Sequence, residues 1–165
     1  MHRSGVAGFD DLVVEGGITL DLGVADKAAL LAALADLAAN ASGIDASLIL
    51  ERVRLRESLG ATGFGGGTAI PHARFAELTG VLVHVVRLAM PVDYGALDEA
   101  PVDIAVLLLS PEDAGADHLK ALARISRTLR DPARLAAMRA APDAAAMRAA
   151  IVTTLSPGEA PRRAA

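Results

Sequence analysis

Residues 56–74 read Arg56-Glu57-Ser58-Leu59-Gly60-Ala61-Thr62-Gly63-Phe64-Gly65-Gly66-Gly67-Thr68-Ala69-Ile70-Pro71-His72-Ala73-Arg74. The first residues close a helical pattern, and the texture then changes. Glycine tolerates positive φ and lets backbones approach closely, at an entropic cost. A loop this dense in glycine inside a compact domain marks a site. Two readings stand side by side: a long turn between a helix and a strand, or a cradle whose backbone N–H groups bind phosphate oxygens. The loop lacks the Gly-Lys-Ser/Thr of a phosphate loop. A dinucleotide fingerprint would follow a strand and open a helix. ATP and NAD are thus disfavoured, and with no lysine beside the loop, phosphate would fall to arginine. Pro71 stiffens the backbone just before His72. A histidine at the lip of such a loop can present one ring nitrogen outward.

Working outward, Leu12–Leu22 alternates loosely and predicts a short strand. Asp26 is placed to cap a helix, and Leu30, Leu31, Leu34, Leu37 and Ala38 follow at helical spacing. Asn40–Gly43 ends it. Asp45 caps a second helix running to about Ser58. Beyond the glycine stretch, Val81–Leu88 predicts a buried strand. Val102–Leu109 is a near-continuous apolar run, as in a strand covered on both faces. Met90–Gly95 between them reads as turn-rich. From Asp117 the pattern is helical, with His118 opening the helix. Asp131-Pro132 places proline at a first helical position, and Asp143 opens a last helix. Residues 1–9 and 156–165 read as loose ends. Strands interleaved with helices, with no linker strong enough to split the chain, predict an α/β layered fold in one domain.

Composition narrows the chemistry. The 165 residues contain no cysteine, which excludes a disulfide framework, a thiolate metal site and a cysteine nucleophile. A net charge of −4 and no tryptophan, one tyrosine and three phenylalanines argue against a nucleic-acid surface. The apolar runs fall well short of the roughly 20 residues a spanning helix needs, and the N-terminus lacks a signal-peptide core, so a cytoplasmic protein is expected. No metal or other cofactor is expected. Of the four histidines, His2 is terminal. His84 lies among valines as a packed or edge strand residue. Glu57 reads as part of a solvated helix face, and Arg74 as surface charge or a docking contact for an acidic partner. Thr62 and Thr68 offer hydroxyls, either to a phosphoryl group or to the loop itself.

The quoted stretch resembles the signature of enzyme IIA of the fructose/mannitol/nitrogen-regulatory class, from the bacterial phosphoenolpyruvate-dependent phosphotransferase system. The family pattern is Arg-Glu, a Ser/Thr-Gly-Ile/Phe-Gly stretch, then Ala-Ile/Val-Pro-His. Met90–Asp103 is similar to its middle segment, and His118-Leu119-Lys120-Ala121-Leu122 to its His-Leu-x-x-Leu helix. The resemblance covers roughly residues 10–153 as the expected domain, and Phe64 stands where isoleucine is common. The resemblance implies an α/β/α sandwich with a mixed central sheet. It implies that His72 is phosphorylated through Nε2 by the histidine-containing phosphocarrier protein, with His118 and Arg56 as its active-site companions. Thr62, Gly65, Gly66 and Thr68 are the expected support for the phosphoryl group. The absence here of an attached IIB or membrane IIC segment favours a nitrogen-regulatory carrier acting on regulatory target proteins. The alternatives are a sugar-specific IIA passing phosphate to a IIB domain, and a binding module that is not phosphorylated. The intact His72, His118 and Arg56 set speaks against the last.

Overall fold

The computed structural model describes residues 5–6, 8–152 and 154–155. A short strand β1 (Gly5–Val6) is followed by a 3-10 turn at Asp10–Leu12 and by β2 (Val13–Leu22). Helix α1 (Lys27–Ser42) starts where the Asp26 carboxylate accepts from Ala29 N–H at 2.8 Å and ends at Gly43 with φ 78°. Helix α2 (Ala46–Ser58) is capped by Asp45. These are the predicted boundaries, and they follow from satisfying free N–H groups at each helix start. Asp131 and Asp143 cap α4 (Pro132–Ala140) and α5 (Ala144–Ala150) in the same way. Helix α3 (Gly115–Leu129) departs from expectation: it opens two residues before Asp117, and His118 N–H already donates to Ala114 O.

The glycine stretch forms a hairpin of β3 (Gly63–Gly65) and β4 (Thr68–Ala69). Gly66 and Gly67 turn it with φ 65° and 82°, the left-handed pair that tight hairpins use. After Pro71 the chain re-enters the sheet as β5 (His72–Phe75). Both β4 and β5 run parallel to β7 (Val102–Pro111), at Ile104–Ala105 and Leu108–Pro111. They therefore act as one strand interrupted at Ile70-Pro71, and His72 sits just past the break. Strand β6 (Leu82–Val92) pairs antiparallel with β7 and parallel with β2. It extends through Met90-Pro91, which correct the expected turn. Proline is tolerated there because the β6–β7 register shifts between Arg87 and Val92. The sheet is mixed, in the order β2-β6-β7-β4-β3 with β5 also on β7. A separate antiparallel pair joins β1 to β8 (Thr154–Leu155).

Strand β7 alternates between two apolar cores. Val102, Ala105, Leu107 and Leu109 face α1 and α2, with Leu30, Leu34, Ile49 and Val53. Ile104, Val106 and Leu108 face the other side, with Ile125, Met138 and Met147 of α3, α4 and α5. This is the three-layer α/β/α sandwich, and burial on both faces explains the unbroken apolar run. Phe9, within the segment expected to be loose, is fully buried, and its N–H donates to Ile151 O. Residues 156–165 and His2 lie outside the described residues.

Candidate active site

His72 is half-buried between α2 and α3. Its Nδ1 lies 2.8 Å from Ile70 O, and its Nε2 lies 3.2 Å from Arg56 Nε. A carbonyl oxygen only accepts and a guanidinium N–H only donates. Both contacts therefore require the same ring state: neutral, protonated on Nδ1, with a lone pair on Nε2. Burial, more than any other influence, lowers the His72 pKa from its ordinary value, and the Arg56 guanidinium adds to this. Arg56 is steadied by donating from Nη1 to Gly60 O at 2.9 Å. Sixteen positions separate Arg56 from His72 in sequence; the last turn of α2 and the hairpin bring them together.

His118 comes in from α3, with its ring centre 5.4 Å from that of His72 and its plane tilted by 54°. It is only 5% exposed, and its Nδ1 is 2.7 Å from Ser110 Oγ on β7. Burial, reinforced by His72 and Arg74, holds its pKa down at about 4. The cleft these residues share has a volume of about 370 Å³. Arg52, Arg56 and Arg74 line it, Leu55 and Leu59 form an exposed apolar rim, and no carboxylate lines it. A chain of net charge −4 thus carries a locally positive hollow, which favours an anion. Among the described residues, no three His, Asp or Glu side chains gather as metal ligands would.

Glu57, expected on a solvated face, is 9% exposed and ties the site together. Its Oε1 accepts from Lys27 Nζ at 2.9 Å and Thr62 N–H at 3.1 Å. Its Oε2 accepts from Tyr94 Oη at 2.9 Å and from the Thr62 hydroxyl. Burial raises the carboxyl pKa, but these donors together outweigh it and hold it below its usual value. Tyr94 is pushed well up, first by burial and then by the Glu57 charge. Lys27 also lies over the Tyr94 ring, 4.2 Å from its centre. The network pins the turn from α2 into the hairpin, directly beside Arg56.

The remaining expected residues divide. Thr62 reaches the site and joins Arg56 and His72 around a smaller hollow of about 220 Å³. Gly65, Gly66 and Thr68 serve the hairpin instead. The Thr68 hydroxyl donates to Gly65 O at 2.8 Å, and Gly66 N–H donates to Asp98 Oδ2 at 2.9 Å. Gly66 O accepts from Arg139 Nη2 at 2.6 Å, and Arg139 is itself paired with Asp103. The hairpin tip is a clamped turn in which Gly66 N–H already has an acceptor. His84 is buried on β6, with no hydrogen-bond partner for Nε2. Sequence reasoning missed Lys27, Tyr94, Ser110 and the role of Glu57. For Glu57 a signal existed: Ile49, Val53 and Glu57 recur every four residues on the buried stripe of α2.

Residues 12–153 match the family described as the phosphoenolpyruvate-dependent sugar phosphotransferase system, EIIA 2. The chain belongs to this family. EIIA proteins are components of a phosphotransferase system, so the chain is of a phosphotransferase-component family. The chain is 44% identical over 137 residues to a nitrogen regulatory protein of Bradyrhizobium diazoefficiens, covering 83% of this chain and 90% of the relative. It is 34% identical to a fructose-specific EIIA component of Haloferax volcanii, over 68% and 73% of the two chains. The crystal structure of nitrogen regulatory protein IIA-Ntr from Neisseria meningitidis superposes with a TM-score of 0.83 at 28% identity, covering 87% of this EIIA chain and 99% of that one. No helix among the described residues is long and apolar enough to cross a membrane.

Proposed function

We propose that this EIIA protein is a phosphohistidine carrier that takes a phosphoryl group on His72 Nε2 from the histidine-containing phosphocarrier protein. The observation that carries the reading is the ring state of His72, with Nδ1–H held by Ile70 O and a lone pair left on Nε2 in a positive cleft. That lone pair attacks phosphorus. The donor's P–N bond breaks and its electron pair returns to the donor nitrogen. Nδ1 keeps its proton throughout, and the Ile70 carbonyl stabilises the positive charge the ring acquires. Arg56 Nε covers Nε2 at rest and must move off it as the bond forms. Its planar fork then faces the phosphoryl oxygens, where charge-assisted bonds are strong. Such transfer needs positioning and charge stabilisation more than covalent work by the protein.

Similarity to nitrogen regulatory proteins across most of the chain supports a nitrogen-regulatory carrier that controls target proteins through its phosphorylation state. The likeness to a fructose-specific EIIA component supports the second reading, transfer onward to a IIB domain. In both readings the carrier works in the cytoplasm. Incubation with phosphoenolpyruvate, enzyme I and the phosphocarrier should add one acid-labile phosphate per chain, and His72→Ala should remove it. Equal labelling of His72→Ala would place the acceptor elsewhere. Onward transfer to a IIB domain would favour the sugar-specific reading, and its absence the regulatory one.

A further inference from the structure

Ser110 is fully buried at the end of β7, opposite Arg74 of β5 in register. Among the described residues, its hydroxyl makes one hydrogen bond, to His118 Nδ1 at 2.7 Å. Two proton arrangements satisfy that distance. In the first, His118 Nδ1–H donates to Oγ, and the serine O–H is left without an acceptor in a site closed to water. A buried donor left unmatched carries its full desolvation penalty. In the second, the serine O–H donates to Nδ1, and both groups are satisfied. The ring proton then resides on Nε2, the nitrogen left to serve the cleft.

We propose that Ser110 is a positioning residue: its hydroxyl holds His118 in the Nε2–H tautomer, so that His118 meets the phosphoryl group of His72 as a neutral hydrogen-bond donor. The phosphoryl part of this proposal rests on the carrier reading above; the tautomer itself does not. Burial, then His72 and Arg74, keep His118 from charging until about pH 4. The two facing rings then hold opposite states. The Ile70 carbonyl fixes the proton of His72 on Nδ1 and leaves Nε2 a lone pair for attack. The Ser110 hydroxyl does the reverse for His118. Were His118 in the other tautomer, its Nε2 lone pair would repel the phosphoryl oxygens it is placed to meet.

The test reads the ring nitrogens directly. In the full-length wild type labelled with 15N-histidine, His118 should show a protonated Nε2 and a hydrogen-bonded, unprotonated Nδ1 near neutral pH. Ser110→Ala should shift the Nδ1 signal and raise the Nδ1–H population. It should slow phosphorylation of His72 by about fivefold, the value of one ordinary hydrogen bond, with KM for the phosphocarrier unchanged. Ser110→Thr, which keeps the hydroxyl, should restore both. A wild-type His118 protonated on Nδ1 would overturn the proposal. So would a Ser110→Ala protein whose signals do not change, whatever its rate, or one whose signals change while transfer keeps its wild-type rate. If wild-type His72 takes no phosphate at all, the carrier reading and the phosphoryl role fall together, while the spectra still decide the tautomer.

Discussion

A lone pair on one nitrogen is the smallest unit on which the proposed function turns. At His72 it is defined by two neighbours, the Ile70 carbonyl and the Arg56 Nε–H, which demand the same proton placement. In the proposed transfer Arg56 has a double duty, capping His72 Nε2 at rest and facing the phosphoryl oxygens as the bond forms. Arg56→Ala is expected to slow transfer on the order of 100-fold, as removal of a preorganised charge-stabilising donor does elsewhere, with the fold retained by circular dichroism. Arg56→Lys should recover only part of the rate in rapid-quench measurements, because a point charge replaces a planar fork. That His72, Arg56 and His118 gather in one place was legible from the family motifs that carry them, and for His72 also from the proline and glycines before it. Ser110 was not: nothing about a serine ending an apolar run says that a helix will bring a histidine 2.7 Å from it.

Between α2 and the hairpin, two clamps set the geometry. The first is Glu57, whose buried carboxylate gathers Lys27, Thr62 and Tyr94 from three separate segments. Glu57→Ala would leave those donors unmatched. Unfolding in urea should show a loss of about 3 kcal/mol, typical of breaking a buried ion pair by removing one partner, and phosphorylation should slow as Arg56 loses its neighbouring support. The second clamp holds the hairpin tip through Asp98 and Arg139. A Cβ at Gly67 would lie 2.5 Å from Arg139 Nη2 at a φ of +82°. Gly67→Ala is expected to lower stability by about 1–3 kcal/mol in the same measurement. The helix starts were readable because each has an aspartate cap. The hairpin was not, since a run of glycines permits a cradle as readily as a turn, and only the distant Asp98 and Arg139 decide between them.

Across the whole molecule, three histidines, His84 and His118 buried and His72 half-buried, have pKa values lowered chiefly by burial. The sign follows from proton counting. The unfolded chain takes up protons at histidine from about pH 6.5 downward, and the folded chain resists, so stability is full above that value and falls as the pH drops below it. For His118 the loss continues to about pH 4, and the lowered Glu57 carboxyl adds to it at more acid pH. His84→Leu, which removes a buried nitrogen with no partner, should reduce the fall in urea midpoint between pH 8 and pH 5; an unchanged fall would show that His84 does not contribute. The layered fold was legible because β7 is apolar on both faces. The positive cleft was not, because the net charge of −4 conceals the convergence of Arg52, Arg56 and Arg74. The central claim is that this cleft makes His72 Nε2 the phosphoryl acceptor. Coupling between 31P and 15N in the phosphorylated, histidine-labelled protein tests it most directly. A P–N bond at Nε2 of His72, with Nδ1 still protonated, is the predicted result; a bond at Nδ1, or at another residue, would contradict it.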